Sequence, residues 1–188
     1  EIIVRRRITG SLWKLYSEQG IREVNGYVLP EGMNEGDRFD ECIITPTTKG
    51  KHDIPITFNE IIAQGILNRA EIEIIKKGAV KLFLDGENFM KSRNIEMIDS
   101  KLEFGFTEDG KIRLVDEIFT PDSSRFIVNG VKIDKDIFYY TEWGSDDEDN
   151  DEEYIFKWEL RDNLKQIIEN PDLIEEIQVY LDELDKKQ

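Results

Sequence analysis

The 188-residue chain has one cysteine and one histidine. Cys42 has no partner for an internal disulfide, and no Cys/His cluster shows the spacing of a zinc site, so a reduced, cytoplasmic setting is expected. Basic residues are scarce: 25 Lys and Arg stand against 41 Asp and Glu, a net charge of −16. A chain this acidic cannot neutralise a run of phosphates, which argues against nucleic acid as a partner. It is also repelled by an anionic membrane surface. No apolar run approaches the roughly 20 residues needed to span a bilayer, and no signal-peptide pattern opens the chain. Gly-x-x-x-x-Gly-Lys-Ser/Thr, Gly-x-Gly-x-x-Gly and Gly-x-Ser-x-Gly are all missing. The commonest phosphate loops and the hydrolase nucleophile elbow are therefore not available.

The hydrophobic fraction of 39% is enough for one core in a chain of this length. We expect residues 1–188 to form a single domain. The acidity is uneven. Residues 1–141 hold 24 acids and 20 bases, whereas residues 142–188 hold 17 acids and 5 bases. The run 146–153, DDEDNDEE, carries seven acids and lies in an expected acidic loop over 142–153. It reads as a solvated loop, with a cation site as the sharper alternative. Two helices are expected after it, over 155–169 and 172–186, separated by Asn170-Pro171. At the other end, Glu1 to Val4 already reads as a strand, so the chain is expected to open inside a structure.

Between these ends the pattern is mixed. Residues 1–8 suggest a strand, Leu12–Tyr16 a short amphipathic turn, and 45–55 a polar loop bounded by prolines. Asn59 is a candidate cap for a helix over 58–65. From Asn68 to Arg93 the apolar residues Ile72, Ile75, Ala79, Leu82, Phe83, Phe89 and Met90 recur in three- and four-residue steps, which describes one face of a long helix. Segments 95–107 and 111–119 are strand-like on either side of Asp109-Gly110, a hairpin signal.

A two-residue loop at Asp109-Gly110 pairs Glu108 with Lys111 and places Glu103 opposite Asp116. Asp99, Lys101 and Glu103 then share one face, while Leu102, Phe104 and Val115 point into a core. Two facing carboxylates repel unless a cation or a proton intervenes. Such a pair suits Mg²⁺, which takes one or two carboxylates and completes its shell with water and phosphate oxygens. A plain charged sheet face with Lys101 as counter-ion satisfies the same spacing.

A second constellation is basic. Arg5 and Arg7 share a strand face, Gly10-Ser11 offers backbone N–H groups at a helix start, and Arg125 lies in the Thr-Pro-Asp-Ser-Ser-Arg loop. Arginine forks match phosphate oxygens, although each arginine alone also fits a surface ion pair. His52 and Asp53 can orient an amine or carry a proton, or can be solvated loop residues; Lys49 and Lys51 in the same loop can be solvated charges or anion contacts.

Four blocks, taken together, resemble the phosphoribosylaminoimidazole-succinocarboxamide synthase (SAICAR synthetase) family. They are Val4-Arg5-Arg6-Arg7-Ile8-Thr9-Gly10-Ser11, Ile44-Thr45-Pro46-Thr47-Thr48-Lys49-Gly50-Lys51-His52-Asp53, Ile98-Asp99-Ser100-Lys101-Leu102-Glu103-Phe104-Gly105, and Leu114-Val115-Asp116-Glu117 running on to Thr120-Pro121-Asp122-Ser123-Ser124-Arg125-Phe126. A looser match at Lys157–Leu164 aligns Arg161 with a family arginine. Ile127 stands where the family usually has Trp, and Phe156 where it has Asp.

The resemblance implies an α+β fold, a largely antiparallel sheet with packed helices, as in the C-terminal lobe of the ATP-grasp-like architecture. The family's ATP-covering N-terminal lobe is expected before Glu1. The implied activity joins carboxyaminoimidazole ribonucleotide to L-aspartate with ATP and Mg²⁺, in de novo purine synthesis. The alternative is a catalytically silent nucleotide-binding or regulatory module on the same scaffold. By the same resemblance Arg5, Ser11, Arg125 and Arg161 hold the nucleotide's phosphate, and Asp99 touches its ribose. Glu103 and Asp116 ligate Mg²⁺, while Lys101, His52 and Asp53 lie at the reacting groups.

Overall fold

Alternating burial along the first strand sets the architecture. In a computed structural model of the chain, β1 (Ile2–Arg7) buries Ile2 and Val4 on one side and turns Ile3, Arg5 and Arg7 to the other. The structure describes residues 1–50, 53–116, 118–120, 122–128, 130–133 and 179. The expected acidic loop and C-terminal helices, His52 and Arg161 lie outside the described residues, Val179 apart. After β1 come α1 (Gly10–Glu18), β2 (Glu23–Val24), β3 (Tyr27–Val28), β4 (Arg38–Pro46), α2 (Phe58–Ala63) and α3 (Arg69–Lys91). They are followed by β5 (Ile95–Phe106), β6 (Ile112–Val115), β7 (Ser124–Val128) and β8 (Val131–Ile133).

The main sheet runs β4-β1-β5-β7-β8, with β6 also on β5, and every described pairing is antiparallel. The 12-residue β5 is its spine. One edge of β5 pairs with β1; the other pairs with β7 along its first half and with β6 along its last four residues. The chain therefore leaves β6, crosses a short loop and re-enters beside the same strand. This is the α+β arrangement that the sequence implied.

The expected long helix is α3. Asn68 caps it, its side chain accepting from the Glu71 N–H while Glu71 reaches back to the Asn68 N–H. Its buried residues include Ile75, Ala79, Leu82, Phe83, Gly86 and Met90. They pack on Ile2, Val4, Ile44, Met97, Leu102 and Phe126 of the sheet to form the main core. Each fully buried aliphatic or aromatic side chain there contributes about 1.5–3 kcal/mol. The helix α2 is capped by Thr57 rather than the expected Asn59. A Ser/Thr hydroxyl followed three residues on by Glu makes a reciprocal box, and Thr57 with Glu60 provides it. No helix among the described residues is long and apolar enough to cross a membrane.

On the sheet's other face, α1 covers only one end. Leu12 and Tyr16 meet Ile8, Leu29, Phe39 and Ile43 in a second cluster. The rest of that face carries charge.

The hairpin register differs from the expected one. Glu103 pairs with Val115, Phe104 with Leu114 and Phe106 with Ile112, which leaves a three-residue loop at 108–110. Gly110 takes φ +80°, and its N–H donates to the Thr107 carbonyl at 2.9 Å. The Thr107 hydroxyl donates to Asp109 Oδ1 at 2.5 Å and accepts from the Lys111 N–H at 3.1 Å. A glycine in the left-handed region serves a three-residue loop as well as a two-residue one. The Thr107–Asp109–Lys111 bonds decide between them. One residue of slip exchanges the faces, so Val115 lies 41% exposed and not in the core.

Candidate active site

Three adjacent strands place one row of charged side chains across the open face. In the register, Arg5 of β1 lies opposite Asp99 of β5, and Asp99 lies opposite Arg125 of β7. The β5/β7 pairing shifts between Met97 and Asp99. That bulge at Ile98 lets Met97 stay in the core while Asp99 turns outward.

Asp99 is 4% exposed and both of its oxygens are engaged. Arg125 Nε donates to Oδ1 at 2.9 Å, and Arg125 Nη2 binds Oδ2. Arg5 Nη1 (3.5 Å) and the Thr9 hydroxyl (3.3 Å) also donate to Oδ2. Arg5 is itself buried, its Nε donating to Thr45 Oγ1 at 3.0 Å and its Nη2 to Ser11 Oγ at 3.2 Å. Burial pushes the Arg5 pKa down, Asp99 opposes this, and Arg125 adds to it. Two guanidiniums on one carboxylate leave a positive charge beside the first residues of α1.

Gly10 opens α1 with φ +57° and cannot be replaced without moving this row. A Cβ there would lie 2.5 Å from Arg125 Nη1. Glycine is required twice at this position, for its backbone angle and for the close passage of the guanidinium.

Two residues further along β5 is Lys101, and four residues along is Glu103. At about 3.4 Å per residue, Glu103 lies roughly 13 Å from Asp99 along the strand, with Lys101 between them. Lys101 Nζ is 3.3 Å from Glu1 Oε2. Burial lowers its pKa, but Glu1, Asp53 and Glu103 outweigh burial and hold it above the usual value. Asp53 is exposed and acts on Lys101 through its charge.

The structure brings Glu103 and Asp116 together, though not as directly opposed strand residues. The strand β6 ends at Val115, and Asp116 takes φ +68°. The loop is held by Phe119, itself at φ +57°, whose buried ring lies against Gly86 of α3. At its far end the Ser123 carbonyl accepts the Lys101 N–H at 2.7 Å. Positive φ at two non-glycine residues in one short loop is costly and recurs at functional sites. Here it returns the Asp116 carboxylate to the Glu103 side.

Lys49 sits at this pair. Its Nζ is bonded to Glu103 Oε2 and lies 3.7 Å from Asp116 Oδ2. The Glu103 hydrogen bond, with further help from Asp116, raises the Lys49 pKa. Among the described residues no group of three His, Cys, Asp or Glu could hold a metal. Two carboxylates suffice for Mg²⁺ when water and phosphate oxygens complete the shell. An ammonium between them shows that the place is one a cation fits. An apolar cavity of about 460 Å³, walled by Ile2, Phe58, Ile75 and Phe104 among others, also touches Glu1 and Lys49.

Of the expected site residues, Arg5, Ser11, Asp99 and Arg125 form one cluster, and Lys101, Glu103, Asp116 and Asp53 gather further along β5. Three partners were not singled out from sequence, Glu1, Thr9 and Thr45, and Gly10 was weighed only for its backbone N–H. Lys49 was weighed only as a solvated charge or an anion contact. Gly10 had a readable signal, a glycine between a basic strand and a helix. The others meet their partners across 40 to 100 residues of chain, where no local pattern operates.

Comparisons with known proteins converge. The SAICAR synthetase family profile matches residues 1–154. The phosphoribosylaminoimidazole-succinocarboxamide synthase of Bacteroides fragilis is 46% identical over 129 residues, covering 67% of this chain and 40% of that protein. A SAICAR synthase structure from Saccharomyces cerevisiae, complexed with SAICAR, is 32% identical, with a TM-score of 0.59 over 98% of this chain and 57% of that one. A SAICAR synthetase in complex with ADP is 26% identical, with a TM-score of 0.63 over 87% of this chain and 60% of that one. The chain spans about two-fifths of the length of the Bacteroides relative.

Proposed function

The chain belongs to the SAICAR synthetase family, and we propose that it supplies the substrate- and Mg²⁺-binding part of the ligase that joins carboxyaminoimidazole ribonucleotide to L-aspartate. ATP is the second substrate, and an ATP-covering lobe completes the enzyme in a reduced, cytoplasmic setting. The observation that carries this reading is the row Arg5–Asp99–Arg125, set on the same sheet face as the Glu103/Asp116 pair.

The row binds the nucleotide's 5′-phosphate, with Ser11 and the start of α1 adding donors. Asp99 has both oxygens engaged, so we assign it to aligning the two arginines in place of the ribose contact that the resemblance implied. The ribonucleotide then lies along β5 and carries its carboxylate towards Lys101. A carboxylate is a poor electrophile for an amine; phosphoryl transfer from ATP gives an acyl phosphate, and the aspartate amine displaces phosphate. Glu103 and Asp116 would hold Mg²⁺, which when bound would neutralise phosphate charge. Lys101 offers an ammonium to the carboxylate as it becomes activated. Asp53, with His52 and Arg161 outside the described residues, is assigned to the aspartate and nucleotide ends by family resemblance alone. Holding three substrates on one face supplies much of the rate.

The test is a calorimetric titration of carboxyaminoimidazole ribonucleotide into this chain, with and without Mg²⁺. Mg²⁺-enhanced binding that falls about tenfold or more in Arg125→Ala is expected, since loss of a charge-assisted fork is worth more than 1 kcal/mol. Binding indifferent to both changes overturns the reading.

A further inference from the structure

The proposed reaction gives Lys49 no role, yet the side chain is placed at the Glu103/Asp116 pair. It lies on the turn after β4 that is closed by the Thr47–Pro55 bridge and by the Thr48 N–H donating to the Ile54 carbonyl at 2.9 Å. The residue is therefore tethered by backbone bonds on both sides of the turn. Its side chain, by contrast, is 61% exposed and free to swing into solvent without backbone change. Yet its ammonium bridges Glu103 and Asp116.

The local charge explains why. Glu1, Asp53, Glu103 and Asp116 supply four negative charges to this end of the face, against Lys49 and Lys101. Lys101 is engaged by Glu1, so among the described residues Lys49 is the cation that both carboxylates contact. Glu103 is largely buried, its side chain 12% exposed, which makes its uncompensated charge unfavourable. These six side chains carry a net of −2, which attracts a divalent ion.

We propose that Lys49 is a built-in counter-ion that holds the metal carboxylates in place before Mg²⁺ arrives and is displaced by it. The proposal rests on the Mg²⁺ reading of Glu103 and Asp116. A tethered ammonium keeps the pair from splaying apart, and its exposure keeps the exchange easy. The Lys49 end of the pair is exposed and screened by water, so its ammonium yields to a divalent cation more readily than a buried one does. The consequence is competition: the metal's apparent affinity is lower than that of the bare pair.

The experiment titrates MgCl₂ into this chain by calorimetry, with no nucleotide present, for wild type, Lys49→Met, Lys49→Arg and Glu103→Gln. Melting temperature is followed in EDTA and in Mg²⁺. Lys49→Met keeps the stem and removes the charge, and it is expected to bind Mg²⁺ about three- to fivefold more tightly. It also melts lower in EDTA, with Mg²⁺ restoring the loss. Lys49→Arg keeps the competing charge and stays near wild type. Equal or weaker Mg²⁺ binding by a folded Lys49→Met overturns the proposal while leaving the metal site standing, provided Glu103→Gln abolishes binding. If Glu103→Gln binds as wild type does, or if wild type and Lys49→Met both fail to bind, the metal reading falls and the proposal with it.

Discussion

On the α3 side of the sheet, Val4, Leu102 and Phe126 are fully buried against Leu82 and Phe83. One residue away along the same three strands, Arg5, Lys101 and Arg125 turn their charged groups to the opposite side. Strand alternation allows one backbone to serve both ends. The apolar face stabilises the fold by area removed from water, which is insensitive to small displacements of any one group. The charged face works by position, and displacements matter there. Asp99 belongs to both regimes, since it is a charged group on the functional face yet as buried as the core.

The largest effect is expected on the apolar side. Phe83 has no exposed surface, and Phe83→Ala leaves a cavity costing about 3–5 kcal/mol, read as a lowered denaturant midpoint. Below that midpoint the surviving folded molecules should still bind the ribonucleotide with near-normal affinity. Loss of affinity at denaturant concentrations well below the unfolding transition would show that the faces are not separable.

Asp99→Ala breaks the comparison from the other side. It leaves the buried Arg5 without its carboxylate, and removing one member of a buried pair costs about 3 kcal/mol or more. Stability and nucleotide affinity should fall together, whereas Glu103→Gln should change stability by less than about 1 kcal/mol. Chemical denaturation of both variants makes the check. Equal stability losses would mean that the burial of the partner cation, Arg5 against the exposed Lys49, does not distinguish the two carboxylates.

Gly86→Ala tests the one place where the apolar face positions a group on the charged one. The added methyl would lie 2.5 Å from the Phe119 ring, an overpacking that costs about 1–3 kcal/mol. Because Phe119 anchors the loop that begins at Asp116, Mg²⁺ affinity should also weaken, although Gly86 touches no ligand. Lost stability with unchanged Mg²⁺ affinity would show that Asp116 is placed by its own backbone alone.

These contrasts also show why some of the molecule could be read from sequence and some could not. The helix α3 was legible because its periodicity, its Asn68 cap and its Glu71 are local. The site residues were legible through short motifs, but their pairings were not. Asp109-Gly110 supports two hairpin registers, and the choice rests on the Thr107 hydroxyl. Glu103 and Asp116 meet by a positive φ that no alternation pattern encodes. The pair was expected for one geometric reason and is formed by another.

The smallest expected effect lies in that same turn, where the Asp109 and Lys111 side chains project into solvent. Lys111 and Thr107 hold the Asp109 carboxyl at about 2, down from 3.8. A depressed folded-state pKa stabilises the turn above the unfolded value and loses that contribution as pH falls through the folded one. The window therefore runs from about 3.8 down to about 2. The Asp109 side chain is well exposed, so the loss is local and screened by solvent. Hydrogen exchange at the Thr107 N–H, bonded to the Lys111 carbonyl at 2.9 Å, should speed up across that window relative to amides in α3. Asp109→Asn should remove the pH dependence while keeping Gly110 and the three-residue loop. If the wild-type Thr107 amide instead follows the α3 amides at every pH, the turn opens only with the whole fold. The distinction between a packed region and a projecting one would then fail at this end of the sheet.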